Sequence, residues 1–228
     1  MKIIILIFLT LSSIFAIEIF DVTPTTAKIN ITNLNVGHTG IVLKKIDEHT
    51  LIVKQAEIVE SNNNGSLLKF LDLNVVPQDA IPTTKLLPQN GDQFILNHLY
   101  TTSLLIVPNI EVKNIVKKLF PSQNFLDEDF FASHLKVIQE PVPNKETISK
   151  FATSQQIGTI FIVASNKLYI IDSITLKVIN TMPLKYKDTS TNKPFLTKIT
   201  DIEQSLWSFG DKEIRNYDTY YTNLVKSK

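Results

Sequence analysis

The stretch "SLLIVPNIEVKNIVKKLF" (residues 103–120) contains the point where the chain changes its period. Its first part, "SLLIVP" (103–108), is a short unbroken apolar run, the pattern of a buried strand. Beyond Pro108, the apolar residues Ile110, Val112, Ile115, Val116 and Leu119 recur near helical spacing, and Asn109 can cap that helix by accepting a first-turn N–H. Strand-type sequence dominates before this point, and helices enter after it.

Upstream, from Ile17 to about Leu99, the chain is β-branched, short in period and punctuated by turn residues. "AKINIT" (27–32), "TGIVLKKI" (39–46) and "TLIVKQAEIVE" (50–60) each contain an alternation that buries one face of a strand. "SNNNGS" (61–66) reads as a turn in which Gly65 takes a positive φ at low steric cost, so residues 50–60 and 67–72 form a hairpin. "PQNGD" (88–92) marks another turn, before "QFILNHL". Closely spaced strands without helices indicate a small barrel or a sandwich.

Downstream, "LDEDFFASHLKVI" (126–138) reads as a helix with carboxylates in its first turn, where the helix dipole favours them, and "KETISKFATSQQ" (145–156) as another. "GTIFIVASNKLYIIDSITLKVINTMPL" (158–184) supplies two strands joined at Ser165–Asn166 and a third beyond Ser173. Two helices close the chain. The first is "TDIEQSLWSFG" (200–210), started by Thr200 or Asp201, with Ile202, Leu206 and Phe209 on one side and Gly210 at its end. The second, "KEIRNYDTYYTNLV" (212–225), puts Ile214, Tyr217, Tyr221, Leu224 and Val225 on one face. The expected class is α+β: a β-rich unit over 17–100, then a mixed α/β unit over 101–228 with C-terminal helices.

The first sixteen residues, "MKIIILIFLTLSSIFA", combine Lys2, an apolar run from Ile3 to Leu11 and small residues before Ala16. That is the layout of a secretory signal peptide cut after Ala16. The run falls short of the ~20 apolar residues that cross a bilayer. Without it, the chain is still long enough for one large domain or two small ones. The chain has no cysteine, which excludes disulfides, thiolate metal sites and cysteine nucleophiles. With a net charge of +1 and Arg215 as the single arginine, no nucleic-acid partner is expected.

No arrangement of residues suggests catalysis, a metal or a cofactor. His38, in "VGHTG" (36–40), has no second histidine or carboxylate at ligand spacing, and His49, His98 and His134 are scattered. Asp127, Glu128 and Asp129 open a helix and read as solvated charge. "VGHTG" and "QNGD" lack the spacing of a phosphate loop, and Ser205 and Ser208 in "SLWSFG" lack a nucleophile elbow. "KLYIIDSITLKVINT" has the look of part of a propeller blade but occurs once.

The order of "VGHTGIVL", "LKFLDL", "NGDQFIL", "LLIVPN", "IGTIFIVASNKLYIIDS", "KPFLTKITDIEQSLW" and "NYDTYYTNLVK" resembles the N-terminal domain family of the bacterial plasminogen-binding protein PgbA. The resemblance implies a non-enzymatic envelope or surface protein of a Gram-negative bacterium, exported to the periplasm or outer surface, with host plasminogen as partner. Kringle modules of plasminogen hold a lysine between acidic groups, a basic group and aromatic walls, and a C-terminal lysine offers amine, carboxylate and methylene stem together. Family members continue into a lysine- and glutamate-rich tail that ends in lysines. Lys228 is the residue here that corresponds, with Ser227 where a second lysine would stand. Read without the resemblance, Lys226 and Lys228 are a flexible, dipole-matched helix end. The alternative function is a periplasmic structural or assembly component that docks on an envelope protein.

Overall fold

The structure is a computed structural model that describes residues 16–73, 86–200, 202–203 and 213–227. The expected signal segment up to residue 15, Ser205 and Ser208, and all of the helix expected over 200–210 except residues 200, 202 and 203, lie outside them. Strands β1 (Ala16–Phe20), β2 (Thr26–Ile29), β3 (Thr39–Ile46), β4 (His49–Asn62), β5 (Gly65–Leu71) and β6 (Gln93–Leu96) close into a barrel in the order β1-β2-β5-β4-β3-β6. Of the two expected alternatives it is the barrel, and its strands pair antiparallel throughout. Alternation explains the closure: Ile19, Ile29, Val42, Ile58, Leu68 and Phe94 point inward and are fully buried. The hairpin over 50–72 forms as β4 and β5, and Gly65 has φ +132°. A Cβ there would sit 2.7 Å from the Ile29 carbonyl oxygen, so this position needs glycine on two counts.

The second sheet contains β7 (Thr102–Ile106), β8 (Asn124–Phe125), β9 (Thr159–Ala164), β10 (Lys167–Asp172) and β11 (Val178–Pro183) in the order β11-β10-β9-β7-β8. β7 runs parallel to β8 and β9, whereas β10 runs antiparallel to both β9 and β11. Ser165 and Asn166, both with positive φ, make the tight turn between β9 and β10 that the sequence indicated. Helices cover both faces. α1 (Ile110–Leu119) packs Val112 and Val116 on the side of Leu105 and Val107, while α2 (Glu128–Ile138), α3 (Lys145–Ser154) and α4 (Tyr217–Lys226) cover the side of Leu104 and Ile106. A strand buried on both faces has no need of alternation, which is why "SLLIV" is continuously apolar. The chain is α+β.

Helix limits differ from expectation where a cap intervenes. Asn109 accepts the Val112 N–H at 3.0 Å as expected. α2 starts at Glu128 because Asp127 caps it, and α4 starts only at Tyr217 because Asn216 accepts the Thr219 N–H at 2.8 Å. Ile214 therefore precedes the helix, yet it is buried in the same core. β8 was not foreseen, since two residues carry no period. Among the described residues, no helix is long and apolar enough to cross a membrane.

One carboxylate ties barrel to sheet. Asp172, at the end of β10, is fully buried, and its Oδ2 accepts the Thr39 hydroxyl from β3 at 2.6 Å and the Tyr100 hydroxyl at 2.7 Å. Its Oδ1 accepts the N–H groups of Ile174 and Thr175 and the Thr175 hydroxyl, so both oxygens are satisfied by donors. The Thr39 N–H in turn donates to the Tyr100 hydroxyl at 3.1 Å. Burial, reinforced by the Asp172 charge, pushes the Tyr100 phenol well above its ordinary range and keeps it a donor. Beside this cluster, Lys177 pairs with the buried Glu57 of β4 at 2.5 Å. Gly158 completes the junction: a Cβ there would lie 2.3–2.6 Å from the Leu99 and Tyr100 backbone.

Three substitutions test this junction by chemical denaturation. Asp172→Ala leaves buried hydroxyls and amides without an acceptor and is expected to lower unfolding stability by about 3 kcal/mol, with Asp172→Asn costing less because an acceptor remains. Gly158→Ala forces backbone apart and is expected to cost about 1–3 kcal/mol.

Candidate functional site

The candidate for a functional role is the segment carried by α4, since Lys228 is the residue to which the family resemblance carries the expectation of plasminogen binding. Lys228 itself lies outside the described residues. What precedes it is held firmly. Tyr217, Tyr221 and Val225 recur at i, i+4 and i+8 and are buried against the sheet, and burial pushes both phenols well above their ordinary range. The Tyr221 hydroxyl donates to the Pro194 carbonyl at 2.8 Å and the Tyr220 hydroxyl to the Pro143 carbonyl at 2.7 Å. At the start of the helix, the Asp218 carboxylate accepts the Ser165 N–H at 2.8 Å.

The last turn ends on Ser227, whose N–H donates to the Asn223 carbonyl at 2.8 Å. The Lys145 ammonium, on the first residue of α3, donates to the Ser227 carbonyl. The Lys145 cation thus meets the negative end of α4, which the dipole of α4 favours, while the neighbouring Glu146 supplies the acidic first-turn residue that suits α3. Lys226 in that last turn is exposed. Lys145 has no signal in the sequence, because its partner is 82 positions away. Beneath the α3–α4 contact, an apolar cavity of about 20 Å³ bordered by Ile148, Ile160 and Val225 is room for one water at most.

The other residues weighed in the sequence remain apart. His38 Nδ1 is 2.8 Å from Asn97 Oδ1, His49 is exposed, and burial pulls His98 and His134 below the usual imidazole range. Among the described residues, no three His, Cys, Asp or Glu side chains gather as metal ligands would. "KLYIIDSITLKVINT" is a single hairpin of the open sheet.

The acidic run at 127–129 corrects its reading as solvated charge. Asp127 caps α2, and Glu128 is buried and paired with Lys113. Asp129 accepts the Thr197 hydroxyl at 2.6 Å and the Lys198 N–H at 2.8 Å, which hold its carboxyl below the usual range. Tertiary partners, not solvent, take up the last two charges. The signal was the apolar pair Phe195–Leu196 in the otherwise polar run "KDTSTNKPFLTK" (187–198); packed on the cores of the two sheet faces, it brings those partners to α2.

That run occupies the place where an open α/β sheet commonly holds a ligand. β7 is the strand at which the order reverses, β8 on one side and β9 on the other, and such a crevice lies beyond the carboxyl end of the strand. Here it is filled by protein: Phe195 is 1% exposed, and its ring stacks on Phe131 at 5.4 Å.

The chain matches the family described as "Plasminogen-binding protein pgbA N-terminal" over residues 14–225. Two relatives from Helicobacter pylori strains, each named Plasminogen-binding protein PgbA, are 23% identical over 216 residues, covering 93% of this chain and 47% of the relative. The chain therefore spans about half the length of the curated relatives it matches. No solved structure matches. With a match that runs through the barrel, the sheet and nearly all of α4, the chain belongs to the family of PgbA N-terminal domains.

Proposed function

We propose that this chain is an exported bacterial envelope or surface protein that binds host plasminogen through Lys228. The observation that carries the reading is the family match over residues 14–225, together with two relatives whose name is plasminogen-binding. Export is supported by the signal-like layout of residues 1–16. In the last turn before Lys228, Lys226 is exposed while Tyr217, Tyr221 and Val225 anchor α4, which supports a fixed base for a lysine-directed contact. A kringle trough takes such a lysine by pairing its ammonium with carboxylates, its carboxylate with a cation and its stem with aromatic rings. The terminus offers about ten non-hydrogen atoms, so each site binds in the micromolar to millimolar range, and firm capture needs several copies on one surface.

One observation favours the second reading, a periplasmic structural or assembly component. The Ser227 carbonyl is already engaged by Lys145, which draws the end of the chain toward α3.

Deleting Lys228, or amidating its carboxylate, is expected to abolish lysine-analogue-competable binding of the purified protein to immobilised plasminogen. Undiminished binding by the shortened chain rules the terminal-lysine mechanism out. Protease shaving of intact cells is expected to remove the protein if it stands on the surface; full protection, with digestion only after the outer membrane is opened, supports the periplasmic reading.

A further inference from the structure

With export through residues 1–16 as the premise, we propose that the Ala16–Ile17 bond is a processing site open only before the barrel closes. A signal-removing peptidase cuts it while β1 is unpaired, and the bond is withdrawn once β1 lies between β2 and β6. The expected leader ends where the barrel begins. Ala16, the last residue before the cut, is already the first residue of β1 and pairs with Ile95 of β6. Ile17 and Glu18, beyond the cut, pair with Phe94 and Gln93. No spacer separates the scissile bond from the ladder, so the residues that a protease must hold in extended form are the ones the barrel holds.

The position of the cut suits the barrel. Ala16 is exposed, whereas Ile17 packs against the barrel core and Ile19 is fully buried in it. Hydrolysis adds one water across the amide, leaving a carboxylate on Ala16 and an α-ammonium on Ile17. The barrel loses one exposed alanine and keeps Ile17. A cut after Glu18 would remove Ile17 from the core, so burial marks the same boundary as the end of the leader pattern.

Packing forbids the reverse order, in which folding precedes the cut. β1 is held on both sides: Ile19 and Phe20 pair with Ile29 and Lys28 of β2. On the other side, the Ile19 N–H donates to the Asp92 carbonyl at 2.9 Å, and the Gly91 N–H donates to the Ile19 carbonyl at 3.0 Å. Lifting β1 into a protease cleft breaks both ladders and takes Ile19 out of the core, which is opening of the barrel and not fraying of an end. Sequence separation supplies the time. β6 follows β1 by about 75 positions, and a chain that emerges N-terminus first at about 5–20 residues per second leaves about 4–15 s before the two strands can meet.

The test uses the full chain with residues 1–16 attached and a purified bacterial signal peptidase in detergent micelles. One sample passes from urea straight into the peptidase; the other is refolded first, with its fold checked by circular dichroism. The unfolded sample is expected to yield a chain whose intact mass begins at Ile17. The refolded sample is expected to be cut at least about tenfold more slowly, since access needs the barrel to open. Phe94→Ala, which empties the core beside Ile17, is expected to bring the second rate back toward the first. Equal rates for the two unaltered samples overturn the proposal and leave export standing. A product that begins elsewhere than at Ile17 overturns it too, and no cut in either sample removes the signal-peptide premise as well. Should the chain not refold with its leader attached, hydrogen exchange on the protein recovered from cells after export decides: the Ile19 and Gly91 amides are expected to exchange as late as those of β4, and early exchange of both overturns it.

Discussion

The barrel and the sheet are joined through one buried negative charge. Asp172 accepts hydroxyls from Thr39 on the barrel and from Tyr100 in the connection, and its other oxygen closes the turn after β10. A carboxylate without water around it is tolerated only where donors surround it, so these groups have to meet in one geometry. Lys177 and Glu57 add a second link across the same junction, and Gly158 lets the backbones approach. The orientation of the sheet relative to the barrel follows from this cluster. The position of α4, by contrast, is set by its apolar packing on β9.

On that base, the α/β unit keeps the frame of a doubly wound sheet while its crevice is filled. Phe195 enters the core that β7 shares with α2, and Asn109, Glu111 and Asp129 turn their polar atoms to the crossing segment. Helix starts that elsewhere attract anions are here already balanced by their own acidic residues. The polar atoms at the mouth of the crevice are thus taken up within the chain itself.

Much of this fold is legible locally. Pro108 and Asn109 divide a strand from a helix, because one ends a ladder and the other caps a first turn. The turns at Gly65 and at Ser165–Asn166 announce themselves through residues that accept positive φ. Less legible was the start of α4, where the apolar stripe runs on past the cap: Ile214 is buried, but from an irregular segment. The acidic run at 127–129 misled for a related reason. Its first-turn position explains one carboxylate as a cap, whereas Glu128 and Asp129 answer to Lys113, Thr197 and Lys198, which no spacing rule connects to them.

By itself the sequence determined the class and the position of most strands and helices, since period, caps and turn residues act over a few positions at a time, while the order of its motifs along the chain carried the resemblance that the family match bears out. Tertiary structure alone decided that the strands close into a barrel, that Asp172 joins it to the sheet, that Lys145 meets the Ser227 carbonyl, and that residues 187–198 fill the crevice. Each of those pairs partners tens of residues apart. Apolar burial stabilises the barrel and the seat of Phe195, and the polar partners are tolerated there only because packing lets them pair, a condition that exists only in the folded chain.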